Sequence, residues 1–311
     1  MEIAVTARNY NSKSVKYMED LGYTVKVYKN CTLMSEDELY ECLKDADGAI
    51  VSIEAYTRHL LERLPNLKVI SRRGIGYDAI DVEACKDLGI AFTRTLGAVE
   101  APVAEQVLAY MLYFARRVDL QSQILKSGIW NRSLKLGLKG NTLGLIGFGG
   151  IGKEIAKRAL SFGMRVIATS HHDAIGSVVE GVEILSEDDV LAQSDFVSIN
   201  VPLREDTFHY ADKNFFKRMK KGAYFINIAR GKVMDVDALV EALNTEHLAG
   251  CAVDVFDQEP CLDSPLAKFG DQVLITPHSC PMTYHDQYNM DQMAAENTVE
   301  VLDLIMGKSN K

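Results

Sequence analysis

The sequence predicts an α/β protein made of two parallel sheets, each wound with helices on both faces. Three observations carry this. Short apolar runs alternate with amphipathic segments along most of the chain. A long, mostly apolar helical stretch at residues 100–126 interrupts the alternation, which then restarts. The restart opens on a glycine-rich turn between a buried strand and an amphipathic helix. At 311 residues the chain exceeds the size that one core usually serves, so two domains are expected.

Taken in order, residues 3–6 read as a strand, 12–21 as a helix and 25–28 as a second strand. Ser35 followed by Glu38 is a capping-box signature before the next helix. Strands are expected at 49–52, 69–71 and 91–93, separated by helices at 57–63 and 81–88. Such alternation implies βαβ units and a parallel sheet, here a smaller, flavodoxin-like one. Residues 100–126 read as one continuous helix leading from one domain to the next, with Pro102 in its first turn, where a missing N–H costs little. Gly128 and the lone Trp130 mark a break. Six strands follow at 143–147, 166–169, 196–200, 224–227, 251–255 and 273–276, with helices between them that include 153–162 and 236–243. A last helix, 284–306, is expected to return to the first domain. The domains are therefore read as 1–98 with 283–311, and 99–282.

Gly147-Phe148-Gly149-Gly150-Ile151-Gly152 matches GxGxxG in the context that gives the pattern meaning, after a strand and before a helix. Gly147 permits a tight turn, Gly149 lets a pyrophosphate approach the backbone, and Gly152 lets helix and sheet pack closely. With Gly150 and Ile151 these residues offer N–H groups and a helix dipole to phosphates. Six parallel strands opening on this turn describe a Rossmann cofactor domain. An NAD site usually carries an acid roughly 20 residues further on. There the chain has Ser170, then His171 and His172, with Asp173 close behind. The missing acid inclines the expectation slightly toward NADP, with NAD open.

Composition bounds the rest. Hydrophobic residues at 47% and charged residues at 25% suit a globular fold and argue against disorder, collagen-like repeats or a disulfide scaffold. A net charge of −9 disfavours general nucleic-acid binding. Cys31, Cys42, Cys85, Cys251, Cys261 and Cys280 form no CxxC pair and no zinc spacing, so reduced thiols are expected. No HxxxH, HxH or carboxylate cluster suggests a metal. The opening Met1-Glu2-Ile3-Ala4 lacks the parts of a signal peptide, and no apolar run reaches the ~18 residues of a membrane span. A cytoplasmic protein is expected.

Three later motifs, Asn227-Ile228-Ala229-Arg230-Gly231, Val253-Asp254-Val255-Phe256-Asp257-Gln258-Glu259-Pro260 and Thr276-Pro277-His278, follow strand ends. Together with the glycine-rich turn they resemble the D-isomer-specific 2-hydroxyacid dehydrogenase family. Residues 64–78, with Arg72-Arg73-Gly74-Ile75-Gly76, and Ala104-Glu105-Gln106 resemble it too, so the likeness covers nearly the whole chain. It implies a catalytic set of Arg230, Glu259 and His278. The planar fork of Arg230 suits a carboxylate, His278 suits proton exchange with a carbonyl oxygen, and Glu259 suits orienting the imidazole. Asp254 resembles the residue that meets the nicotinamide carboxamide; Val201, Pro202, Ala229, Arg230 and His278 complete the cofactor set with Ser170 and His171. Arg72, Ile75 and Gly76 are expected on the substrate side with Arg230 and His278, the two glycines of that turn allowing close approach. Glu54 reads first as a solvated loop residue, with a ligand role as the alternative. Arg94 either adds a cation for an anionic substrate group or points to solvent. His59, His209, His247 and His285 read as surface or packing residues.

The resemblance implies hydride transfer between NAD(P)H and C2 of a small 2-keto acid in a cleft between the domains, in a homodimer of the phosphoglycerate dehydrogenase and hydroxypyruvate or glyoxylate reductase branch. Glu259-Pro260, rather than Gln-Pro, argues against formate dehydrogenase activity. Neither the further C-terminal regulatory domain of long phosphoglycerate dehydrogenases nor feedback by serine is expected. The alternative function is a non-enzymatic, dinucleotide-sensing corepressor-like binding protein.

Overall fold

The structure is a computed structural model that describes residues 1–28 and 34–308; Cys31 and residues 309–311 lie outside the described residues. The chain divides into two units, Met1–Val99 with Met282–Lys311, and Glu100–Pro281.

The first unit begins with β1 (Glu2–Val5), α1 (Ser12–Asp20), β2 (Thr24–Val27), α2 (Glu36–Leu43) and β3 (Gly48–Val51). It continues with α3 (Arg58–Glu62), β4 (Val69–Arg72), α4 (Val82–Asp87) and β5 (Ala91–Arg94). The capping box forms at α2: Ser35 Oγ accepts from Glu38 N, and Glu38 Oε2 accepts from Ser35 N. All five strands run parallel in the order β2-β1-β3-β4-β5. Side chains alternate along each strand. Ala4, Ala49, Val51 and Ile70 bury against Leu39 and Leu43 of α2, Leu60 and Leu61 of α3 and Ala84 of α4. Ile3, Val5, Ile50 and Val69 face Met18 of α1 and Ala294, Ala295, Val299 and Leu302 of the C-terminal helix. In this order the chain reverses its direction of winding between β1 and β3. A doubly wound sheet opens a crevice at such a point, outside the carboxyl ends of its strands.

The second unit holds α5 (Glu100–Arg116), α6 (Val118–Lys126), β6 (Thr142–Ile146), α7 (Gly150–Ser161), β7 (Arg165–Thr169), β8 (Val178–Val179), β9 (Val182–Ile184) and α8 (Glu187–Gln193). Then come β10 (Phe196–Ile199), α9 (Lys213–Arg218), β11 (Tyr224–Asn227), α10 (Val236–Asn244), β12 (Gly250–Val253) and β13 (Val273–Ile275). The chain ends with α11 (Tyr284–Ile305), in the first unit. The sheet order is β13-β12-β11-β10-β6-β7-β9-β8, parallel except for the β8–β9 pair. Fully buried strands such as β6, β10 and β12 explain the continuous apolar runs.

Two expectations change. The helix expected over 100–126 is two helices. Arg117 adopts a left-handed conformation, φ 45°, between α5 and α6. Its guanidinium lies 4.9 Å from the Tyr113 ring centroid and pairs with Asp271 at 2.9 Å, contacts that reward leaving the helical path. The six expected strands are joined by β8 and β9, a short hairpin whose turn is Glu180 and Gly181, both at positive φ. Among the described residues no helix is long and apolar enough to cross a membrane, and no group of three His, Cys, Asp or Glu is placed to hold a metal ion.

Candidate active site

At the carboxyl end of β6, Gly147 takes φ 97°, and a Cβ on Gly152 would stand 2.5 Å from Gly147 O. The turn therefore requires glycine at both places. Gly149 is the N-cap of α7 and offers no side chain, so the N–H groups of Gly150, Ile151 and Gly152 have no acceptor within the helix. A Cβ on Gly149 would meet nothing within 4 Å, while Val201, just after β10, packs against Gly147 and leads to the exposed Pro202. Open space above three free donors and a positive helix end fits a diphosphate.

The end of β7 is tied to this turn, with Gly147 N donating to Thr169 Oγ1 at 3.1 Å. The next residue, Ser170, donates from Oγ to Asp173 Oδ2 at 2.7 Å and accepts from the N–H groups of His172 and Asp173. His171 and His172 are exposed. A carboxylate, that of Asp173, thus lies hydrogen-bonded against Ser170.

Beyond β11, buried Asn227 folds the following loop: its Nδ2 donates to Arg230 O at 2.9 Å, and its Oδ1 accepts from Ala229 N at 3.0 Å. Arg230 is half-buried, and its Nη1 donates to Ala229 O at 2.7 Å. A Cβ on Gly231 would fall 2.0 Å from Phe256 C, so only glycine lets the Arg230 loop lie against the backbone leading to Glu259. Glu259 accepts from Phe256 N at 3.0 Å with one oxygen and meets His278 Nδ1 at 2.8 Å with the other. Burial pushes the Glu259 carboxyl up, but the hydrogen bond and charge of His278, the Phe256 N–H and the Arg230 charge outweigh it and hold it below the usual carboxylate range. An ionised Glu259 places the proton of the neutral ring on Nδ1 and leaves Nε2 as the reacting nitrogen.

His278 itself sits at φ 50°, an uncommon conformation for a non-glycine residue. Asp254, only 1% exposed, holds it there. The Asp254 carbonyl accepts from His278 N at 2.7 Å. Its carboxylate accepts from Thr276 Oγ1 at 2.5 Å, Ser279 N at 2.9 Å and Cys280 N at 3.0 Å. Tyr110 of α5 joins through Thr276 Oγ1 at 2.5 Å. The Asp254 carboxylate thus holds the loop that carries His278.

In the first unit, Arg72 Nε donates to Gly76 O at 2.9 Å, and Arg72 Nη1 donates to Arg73 O. Arg94 Nη1 donates to Ile75 O at 3.2 Å, and its guanidinium lies 4.7 Å from the Tyr77 ring centroid. Arg94 thus braces the turn with one of its donors and stacks on Tyr77 rather than standing free in solvent. With these carbonyls engaged, the N–H groups of Ile75 and Gly76 are left without an acceptor among the described residues. Glu54 departs from its first reading as a solvated residue: it is 6% exposed. Sequence reasoning missed Asp291, buried in α11, which pairs with Arg73 Nε and accepts from Asn11 N at 2.9 Å. Its partners lie hundreds of residues away in sequence, and only the Arg72-Arg73 doublet hinted at them. Of the remaining histidines, His59 meets Glu36, His247 Nε2 meets Met219 O at 2.9 Å, and His209 stacks on Phe208.

Residues 108–280, more than half the chain, match the family described as D-isomer specific 2-hydroxyacid dehydrogenase, NAD binding domain. The chain belongs to this family. It is 33% identical over 303 residues to a glyoxylate reductase of Thermococcus litoralis, covering 94% of this chain and 91% of the relative. It is 39% identical over 250 residues to a hydroxypyruvate reductase of Thermotoga maritima, covering 79% and 81%. Among solved structures, the TT0316 protein of Thermus thermophilus aligns with a TM-score of 0.88 at 33% identity over 97% of both chains. Membership makes this chain an oxidoreductase of the 2-hydroxyacid dehydrogenase type, with a Rossmann domain for a nicotinamide dinucleotide.

Proposed function

We propose that the chain catalyses reversible hydride transfer between NADH and C2 of a small 2-keto acid, yielding the (R)-2-hydroxy acid. The Glu259–His278 pair, at 2.8 Å, carries this reading. A bound nicotinamide supplies the hydride. The chain supplies the rest. Arg230 holds the substrate carboxylate in its fork and polarises the neighbouring carbonyl. His278 Nε2 gives a proton to the carbonyl oxygen during reduction and takes it back during oxidation. Glu259 aligns the ring through Nδ1. The free N–H groups of Ile75 and Gly76 suit an anionic group of a substrate. Gly149, Gly150, Ile151 and Gly152 hold the diphosphate, with Val201, Pro202 and Ala229 lining the cofactor's path.

The Ser170–Asp173 hydrogen bond turns the cofactor preference from NADP toward NAD. A carboxylate at this position accepts from ribose hydroxyls and repels a 2′-phosphate, and the two exposed imidazoles do not offset it. The test is a set of initial rates with NADH and NADPH on glyoxylate, pyruvate, hydroxypyruvate and phosphohydroxypyruvate. Turnover with NADH is expected. No turnover of any keto acid overturns the proposal, and a preference for NADPH overturns its cofactor half.

The protein is also proposed to be a homodimer. Helix α6 buries no residue, and Trp130 (79%) and Leu134 (98%) stand exposed after it. Light scattering on the eluting protein reads the mass directly; a monomer at micromolar concentration ends this part.

A further inference from the structure

The buried side chains of α5, Val103, Val107, Met111 and Phe114 among them, are apolar except for Tyr110, which is 2% exposed. A phenol out of water has to find a protein partner. Tyr110 finds two just after β13, Thr276 Oγ1 at 2.5 Å and Cys280 Sγ at 3.8 Å. Thr276 has one hydroxyl proton and gives it to the Asp254 carboxylate, both of whose oxygens serve as acceptors. Tyr110 therefore donates to Thr276, and its oxygen is left to accept from the Cys280 thiol. Burial pushes both the phenol and the thiol above their usual ranges, so both keep their protons. The result is a one-way chain, thiol to phenol to hydroxyl to carboxylate. It closes on itself, because Cys280 N also donates to Asp254, at 3.0 Å. With Cys280 4% and Asp254 1% exposed, solvent does not reach in to replace a missing link. The post that carries the phenol is itself fixed, since α5 packs along α7. At the middle of the segment so clamped, two residues from either end, stands His278 at φ 50°. A non-glycine residue keeps such a conformation only where its surroundings over-determine it.

We infer that Tyr110 is a positioning residue for proton transfer: its hydroxyl, acting through Thr276 and Asp254, fixes the loop on which His278 keeps Nδ1 against Glu259 and Nε2 for the substrate. This rests on the reading of His278 as the proton donor in keto-acid reduction and adds to it a group on another element. Tyr110 exchanges no proton with the substrate. Without its hydroxyl, Thr276 loses the donor that sets its rotamer, the loop is held by fewer bonds, and His278 spends less time aimed. The loss falls on rate rather than on cofactor binding, because the glycine-rich turn belongs to β6 and α7.

The experiment is a double-mutant cycle on the full chain. It reads the NADH dissociation constant, and kcat for whichever of glyoxylate, pyruvate, hydroxypyruvate and phosphohydroxypyruvate the parent reduces fastest. Tyr110→Phe keeps the ring in the core and removes only the hydroxyl. It is expected to lower kcat about 3- to 10-fold, the worth of one hydrogen bond, with NADH binding within about twofold of the parent. In a His278→Ala background the same change is expected to lower the residual kcat by no more than about twofold, since the group being aimed is gone. Thr276→Val breaks the chain one link on, is expected to give a loss of similar size, and serves if Tyr110→Phe does not fold. Thr276→Ser, which keeps the hydroxyl, is expected to retain most of the parent rate. A folded Tyr110→Phe that turns over like the parent overturns the inference and leaves the keto-acid reading intact. An equal fold-loss in both backgrounds also overturns it, as does failure of both Tyr110→Phe and Thr276→Val to fold, because the hydroxyls then serve the fold as a whole. A parent that reduces none of the four acids, or a His278→Ala variant that matches the parent, brings down both.

Discussion

Both units present the carboxyl edge of a parallel sheet, yet they equip it in opposite ways. In the second unit the polar groups at the edge satisfy each other. Glu259 is held by Phe256 N and His278, and Asp254 by Thr276, Ser279 and Cys280. In the first unit the Arg73–Asp291 pair is likewise closed, but Glu54 on the same sheet's edge is not. A catalytic group must arrive already aimed, and a closed network aims it. The first edge instead keeps bonding capacity in reserve, at one carboxylate and at two backbone N–H groups.

The sharpest way to break this contrast is at His278. His278→Ala should lower kcat by about 10²- to 10⁴-fold while the NADH dissociation constant, read by nucleotide fluorescence, stays within about threefold. Parallel loss of both would make the histidine a scaffold element. Asp291→Ala comes next. It strands Arg73 with side chains only 9% and 2% exposed in the parent pair, and should cost about 3–5 kcal/mol in urea unfolding of the first unit. An unchanged midpoint would show that the pair is replaceable by solvent. Arg230→Lys should reduce kcat/KM by about 10- to 100-fold, since a point charge cannot reproduce two parallel bonds. Unaltered kinetics would remove it from the set.

The smallest effect is on stability against pH. The Glu259 carboxyl lies below its usual value in the folded chain, so its pairing stabilises the fold above the unfolded value and is lost as pH falls through the lowered one. The melting-temperature gap between the parent and Glu259→Gln should therefore be widest near neutrality and close in acid. A gap that is constant with pH would show that the carboxylate contributes through shape alone.

Much of the second edge could be read directly from the residues, because its chemistry is local. The glycine-rich turn, Asn227 to Gly231, and Glu259-Pro260 each occupy a few consecutive positions after one strand. What escaped reading is non-local. The break at Arg117 depends on Asp271, far along the chain, and on the Tyr113 ring. The burial of Glu54, the bracing by Arg94 of the turn at Ile75, and the Asp291 network arise only when distant segments pack. A three-residue strand such as β9 carries too short a pattern to stand out. Asp173 was visible three positions from where an acid is normally sought, and its contact with Ser170 comes only from the turn between them.

Gly231 has a practical corollary for anyone wishing to retarget this catalyst. With less than the width of a methyl group between two stretches of main chain, the spacing between the Arg230 loop and the backbone that leads to Glu259 is effectively machined into the scaffold. Directed evolution that replaces Gly231 itself will return mostly misfolded clones, because any side chain there collides with main chain.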